Sequence, residues 1–378
     1  MTMPRFKVRY SYLPQQFGKT DDLWEQLKKF VPSGDFTLGE PLAKFEGRFA
    51  ELIGTKHAIG VGSGTDALKL GLKAVGVGFG DEVITTANTF IATVGAIAET
   101  GATPVFVDCD PETFCMDVSQ VEAKITERTK AIMPVQITGE ITNMTRLMAI
   151  ADKYGMPVVE DACQGILAAT NDKHGNLKNA GTWGIAGGFS LHPLKNLNVW
   201  GDGGVVVTSD DEVARKLRLL RNHGMRNRDE IEILGYNSRL DTLQAIVGNW
   251  LIGSTHDITA KRIANGAYYD QAFAKIGGIR VPKRSATTRR VFHLYMVFAD
   301  DRDGLFQHCV DNGIEAKIHY PIPLYLQDAL KHLGHKPGDF PVTDAHAKSI
   351  ISFPCDQHLT RQEQDLVIDT VASFYKGK

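Results

Sequence analysis

Lys195 lies in GGFSLHPLKNLNVWGDGG, Gly187 to Gly204, among glycines, aromatics and a His-Pro pair, and it is the first residue whose setting points to chemistry. Lysine becomes a nucleophile when its ammonium is desolvated and its pKa falls, and it then condenses with carbonyls; a glycine-flanked, water-poor loop provides that setting. Two other stretches have comparable character. GVGSGTDALKL, Gly60 to Leu70, reads as a strand running through glycines into a helix, where backbone N–H groups, the positive helix end and the Thr65 hydroxyl can hold a phosphate. MPVVEDACQG ends an apolar strand in Glu160 and Asp161, where a carboxylate can face a buried cationic ring nitrogen. Each stretch also has a plain structural reading: an exposed loop lysine, a helix start capped by Ser63 with Asp66 three residues on, and a cap or surface ion pair for the acids. A dinucleotide site is disfavoured, because the glycine spacing is GxGxG rather than GxGxxG and no acid ends a second strand at the required distance. In combination, a phosphate cradle, an acid at a mid-sheet strand end and a lysine about thirty residues later are the set that pyridoxal phosphate (PLP) requires.

The elements that must position these residues follow one rhythm, β-branched runs alternating with helical periodicity. KHAIGVG, DEVITTA, TPVFVDCD, KAIMPVQ and MPVVED interleave with TDALKLGLKAVG, FIATVGAIAETG and MTRLMAIADKYG. That alternation predicts an α/β fold, a mainly parallel sheet with helices on both faces. AGGFSLH and GGVVVTS follow with no helix between them and are expected to pair as antiparallel neighbours, giving a mixed sheet of about seven strands. Leu23 to Phe49 reads as helix, turn at PSGDF and helix. Helical patterns continue through DDEVARKLRLLRNHG, LDTLQAIVGNWLI and ITAKRIANGAYYDQAFAKI, before a smaller α+β block from Val291 onward. A division near Gly253 is expected, with a large unit over 1–253 and a small C-terminal unit over 254–378. Sites in such sheets form at the carboxyl ends of the strands, where all three candidate stretches fall.

The 378 residues carry 43 % apolar and 23 % charged side chains with a net charge of −2, ordinary for a globular chain and without the footprint of a nucleic-acid or membrane-surface binder. Small molecules and further copies of the chain are the expected partners. The five cysteines show no CxxC spacing and no disulfide rhythm, no metal site is expected, and no apolar run is long enough to span a bilayer. With a basic N-terminus that no apolar run follows, the chain is expected in the cytoplasm.

Beyond these readings the chain resembles the fold type I PLP enzymes, specifically the sugar aminotransferases of the DegT/DnrJ/EryC1/StrS group. The resemblance runs nearly end to end, through GDFTLGEPLAKFE, GVGSGTDALKLGLKAVGVGFGDEVIT, NTFIATVGAI, GATPVFVD, VVEDACQG, FSLHPLKNLNVWGDGG, RNHG, LGYNSRLDTLQA, HLYMVF and GIEAKIHYPIPLYLQ. It implies a homodimer with shared active sites, PLP as cofactor, glutamate as amino donor leaving as 2-oxoglutarate, and a keto sugar as acceptor, with the amino sugar destined for cell-surface polysaccharide or lipopolysaccharide. Carried over residue by residue, Lys195 matches the lysine that holds the cofactor aldehyde and moves the proton, and Asp161 matches the partner of the pyridine nitrogen. Gln164, one helical turn beyond that acid, matches the residue near the phenolic oxygen. Phe90 matches the ring-stacking aromatic, although its apolar helix also suits a plain core phenylalanine. Gly64, Thr65 and Ser190 match the phosphate contacts, and Asn237 a phosphate ligand given by the neighbouring subunit. His319 and Tyr320 resemble residues of the substrate pocket, while a histidine at a strand end also has an ordinary structural use.

Two features of the pattern bear on the reaction. Relatives with histidine at the lysine position act as dehydratases; here the position is Lys195, with His192 three residues earlier, so transamination is expected. In PVQITGEITNM, Gln136 stands where many relatives acting on nucleotide-linked sugars have histidine, with Ile137 and Thr138 following. That loop is expected near the substrate carbonyl and suggests the branch forming 8-amino-3,8-dideoxyoctulosonate from the 8-keto acid. The alternatives are a UDP-, dTDP- or GDP-linked keto sugar and, in another class, a non-catalytic PLP-binding regulatory protein.

Overall fold

The computed structural model describes residues 6–376, so the extreme ends of the 1–253 and 254–378 units lie outside it. Seven strands build the central sheet: β1 His57–Val61, β2 Glu82–Thr86, β3 Thr103–Val107, β4 Thr129–Ile132 and β5 Val159–Asp161, then, past a short hairpin of β6 Ala169–Asn171 and β7 Leu177–Asn179, β8 Ala186–Ser190 and β9 Gly204–Thr208. The ladders run β1-β9-β8-β5 and β3-β2-β4, and parallel bridges Ile132–Val158 and Val135–Asp161 join the two halves between β4 and β5. β9 is antiparallel to both β8 and β1, so the pairing expected of AGGFSLH and GGVVVTS is present. The sequence reading did not place β1, the first strand, beside β9, the last.

Both faces of this sheet are covered, and β9 shows it residue by residue: Val205 and Val207 pack into one hydrophobic cluster, Val206 into the other. The first cluster holds Phe45 and Phe49 of the helix Glu40–Ile53, Leu147 of Met144–Tyr154 and Val247 of Thr242–Leu251. The second holds Leu68, Leu70 and Leu72 of the helix Gly64–Ala74 and Val213 and Leu217 of Asp211–Arg221. Continuous β-branched runs such as GVVVT are what a doubly covered strand needs. The helix–turn–helix expected over Leu23 to Phe49 is present as Asp21–Phe30, a turn ending at the left-handed Gly34, and Glu40–Ile53.

After the long helix Thr255–Phe273, a second antiparallel sheet forms from β10 Ile279–Arg280, β12 Tyr295–Ala299 and β13 Ile350–Phe353, while β11 Thr288–Arg289 crosses back to pair with β6. Tyr269, Phe273, Tyr295, Phe353 and Val371 make its core, and Val8 and Tyr12 from the N-terminal end join them. Val8 bridges Ile314 in parallel, which ties the start of the described chain to its C-terminal layer.

Candidate active site

A cavity of about 510 Å³ opens where the carboxyl ends of β1, β2, β4, β5 and β8 meet the C-terminal layer. Its floor comes from the strand ends: Ser63, Gly64 and Thr65 after β1, Thr89, Phe90 and Thr93 after β2, Asp161 and Gln164 from β5 onward, Ser190 and Lys195 from β8 onward. Its opposite wall comes from Tyr10, Ser11, Arg262, His293, His319 and Tyr320.

The glycine-rich turn fulfils both of its sequence readings. Ser63 caps the helix Gly64–Ala74 by accepting the Asp66 N–H at 3.1 Å, and the Gly64 and Thr65 N–H groups of the same first turn line the cavity without an acceptor inside the helix. Glycine is required here by close approach. A Cβ on Gly64 would lie 2.7 Å from Ser190 Cβ, and one on Gly204 only 2.2 Å from the Ser63 carbonyl oxygen. The helix start is thereby pressed against the ends of β8 and β9.

The two acids at the end of β5 separate completely. Asp161 faces the cavity, with Oδ2 accepting the Thr93 hydroxyl at 2.6 Å and Oδ1 accepting the Cys163 N–H at 3.1 Å. Glu160 points through the other face, wholly buried, and accepts the N–H groups of Gly181, Trp183 and Gly184 and the Gln136 amide, all within 3.0 Å. Burial pushes its carboxyl pKa up, opposed by those hydrogen bonds.

Lys195 is half-buried, and loss of water lowers its ammonium pKa against the upward pull of Cys163 and Asp161. Its loop is fixed on either side: the Lys195 N–H donates to the His192 carbonyl at 2.8 Å, and Asn198 Nδ2 returns to the Lys195 carbonyl at 2.8 Å. On the facing wall His319 Nδ1 pairs with Ser352 Oγ at 2.8 Å, and burial, then the charges of Lys317 and Lys195, hold its pKa down at about 4. His293 is held neutral still more firmly by burial and by Lys195, Arg262, His319 and His192. Burial raises the Tyr320 phenol. The amine of Lys195 thus shares the cavity with the carboxyl groups of Asp161, Asp202 and Asp356, the Arg262 guanidinium, neutral imidazoles and the free N–H groups of a helix start.

The DegT/DnrJ/EryC1/StrS aminotransferase family profile matches residues 19–372. The chain belongs to that family. Among curated relatives, a pleiotropic regulatory protein of Geobacillus stearothermophilus is 41 % identical over 94 % of this chain and 95 % of its own length. A dTDP-3-amino-3,4,6-trideoxy-alpha-D-glucose transaminase of Streptomyces venezuelae is 38 % identical over 92 % of this chain and 90 % of its own. The solved structure of S. venezuelae DesV superposes with a TM-score of 0.94 at 36 % identity, covering 98 % of both chains.

For this member of the DegT/DnrJ/EryC1/StrS family the cavity gathers Gly64, Thr65, Phe90, Asp161, Gln164, Ser190, Lys195, His319 and Tyr320. Phe90 is 52 % exposed, so it is not a core residue; its ring lies 6.2 Å from that of Tyr320. Gln164 stands on a turn after β5 rather than one helical turn along, with Oε1 accepting the Thr138 N–H at 2.7 Å. Gln136 does not reach the cavity: it is wholly buried between Glu160, Met144 and the Thr142 N–H, its polar atoms spent on protein. Asn237 lies exposed outside this chain's cavity. Sequence reasoning missed Thr93, Tyr10, Ser11, Arg262 and His293. For Thr93 a signal existed, a second threonine four residues earlier, just ahead of the helix Ile91–Ala98; for the wall residues there was none, because they arrive from distant segments.

Proposed function

We propose that this chain is a PLP-dependent aminotransferase that moves an amino group from glutamate to a keto sugar. The carrying observation is the pairing, within one cavity, of a half-buried Lys195 with an Asp161 carboxylate held from behind by Thr93 and Cys163. The residues fit the cofactor. The cradle at Gly64 has no room for a Cβ and offers first-turn N–H groups and the Ser190 hydroxyl to a phosphate; Phe90 presents a ring face; and a cavity of about 510 Å³ suits a ligand of this size. Bound there, PLP supplies an aldehyde that takes up amines and a pyridine ring that accepts the electron pair of a Cα–H bond.

In this reading Asp161 would hold the proton on the ring nitrogen, Gln164 would stand beside the phenolic oxygen, and Lys195 Nζ would do the acid–base work. Its lowered pKa would let the free amine take the Cα proton of glutamate, whose amino group stays with the cofactor while water supplies the keto oxygen of the departing 2-oxoglutarate, and return a proton to the acceptor carbon in the second half-reaction, where the acceptor's carbonyl oxygen leaves as water. Kinetics are then ping-pong. Asn237 reaches the phosphate of a second copy, so the working unit is a homodimer, and the two-unit division near Gly253 belongs to the same proposal.

For the acceptor we infer a nucleotide-linked keto sugar leading to a surface-polysaccharide amino sugar. The S. venezuelae relative named as acting on a dTDP-linked sugar supports that class. The competing octulosonate reading rests on Gln136, Ile137 and Thr138 together with FSLHPLKNLNVW, and of these the Gln136 side chain is turned into the core.

The test is spectroscopic. Purified protein should absorb in the visible, lose that band on borohydride treatment, and lack it in Lys195→Ala. Adding glutamate should convert the cofactor to its amine form with release of 2-oxoglutarate. Binding of the cofactor without that conversion points instead to a regulatory protein, and a colourless protein that binds NADH refutes the proposal.

A further inference from the structure

Behind Asp161 the hydrogens have only one consistent arrangement. Thr93 Oγ1 is 2.6 Å from Asp161 Oδ2 and 2.7 Å from Thr89 Oγ1. An ionised carboxylate can only accept, so Thr93 must spend its single hydroxyl proton on Asp161 and must accept from Thr89. The chain therefore runs Thr89 to Thr93 to Asp161. All three are buried, at 2 %, 0 % and 5 % exposure, and each borders the cavity. A threonine in a helix ordinarily turns its hydroxyl back to a carbonyl one turn earlier. Thr93, in the first turn of the helix Ile91–Ala98, gives its proton instead to a strand residue 68 positions away. The Cys163 N–H takes the other oxygen, so each carboxylate oxygen has one donor behind it and a lone pair left for the cavity that Asp161 lines.

We propose that Thr93, backed by Thr89, is a positioning residue that sets the Asp161 carboxylate for the ring nitrogen of the bound cofactor. The inference rests on the cofactor reading above. Without the hydroxyl, Asp161 keeps the single Cys163 N–H, which fixes one oxygen and leaves the plane of the carboxylate free to turn. Thr89 also lines the cavity, and it reaches the carboxylate through the Thr93 hydroxyl that it orients.

The test measures affinity rather than turnover. The full chain, stripped of cofactor, is titrated with pyridoxamine phosphate, which keeps the ring nitrogen and phosphate but has no aldehyde for Lys195. Thr93→Val should weaken binding about tenfold or more, the loss expected for one hydrogen bond to a charged group. Thr93→Ser should restore most of it. Thr89→Val should weaken binding less and have no further effect in the Thr93→Val background, since the two act in series. The thermal midpoint of each cofactor-free variant reports folding, and should Thr93→Val fail to fold, the Thr89→Val and Thr93→Ser affinities carry the test. Unchanged affinity in a folded Thr93→Val, or strictly additive losses, overturns the positioning role while leaving the cofactor reading intact. A wild-type chain with no affinity for pyridoxamine phosphate overturns both.

Discussion

Glu160 and Asp161 are adjacent, both acidic and both buried, yet they have opposite fates because successive strand residues point to opposite faces. Asp161 receives two donors and a cavity; Glu160 receives four donors and no cavity, and organises the Gly181–Gly184 turn. The facing wall shows the same dependence on surroundings. His319, with its folded pKa at about 4, stays neutral while an unfolded chain would take a proton below pH 6.5. Between those values the unfolded state binds more protons, so stability rises with pH and falls as pH drops through the window. The size of this effect is on the order of 2 kcal/mol once partial exposure is allowed for. His319→Gln should therefore show a flatter dependence of its urea midpoint between pH 4.5 and 7 than the parent chain; an unchanged slope would remove His319 from the account.

At the scale of elements, the site depends on one helix start being pressed onto two strand ends. A Cβ at position 64 would stand 2.7 Å from Ser190 Cβ and 3.1 Å from Cys163 Sγ, none of them the loose end of a long side chain. Gly64→Ala should accordingly destabilise the protein by about 1–3 kcal/mol and weaken phosphate binding, even though alanine is the better helix former. Thermal melting decides it: a raised midpoint would mean that propensity outweighs the clash. Ser63 as cap and Gly64 as cradle were both legible in GSGTD, since the two uses call on different groups of one turn. Gln136 was misplaced for an element-level reason. It sits where β4 has ended and its backbone N–H bonds the Asp161 carbonyl at 2.9 Å, which sends its side chain toward Glu160 rather than the cavity.

The whole molecule brings the cavity's two sides together from segments far apart in the chain. Tyr10 is tied to Glu315 by a 2.9 Å hydrogen bond, and Val8 to Ile314, so the N-terminal segment is held against the wall that carries His319. Asn237 lies outside this chain's cavity, and the proposed sharing of sites would bring it from a second copy. Mixing Lys195→Ala and Asn237→Ala chains tests that directly. A mixed dimer has one site with both losses and one intact site, so random reassociation should recover about one quarter of wild-type activity from two weakened preparations. If mixing gives only the average of the two parents, the sites are not shared.

The sequence alone determined the strand–helix rhythm, the strand-to-helix turn at Gly60 to Leu70, the antiparallel return after Lys195 and the loop carrying that lysine, because β-branching, glycine spacing and helical periodicity act over a few residues. The tertiary structure decided which acid faces the cavity, where Gln136 points, that Thr93 reaches Asp161 and that Tyr10 and His293 wall the pocket. Those depend on which side of the sheet meets the C-terminal layer and on pairings such as β1 with β9, set by burying both faces at once. A local pattern fixes the alternation of side chains along a strand; only the packed molecule assigns each side its neighbours.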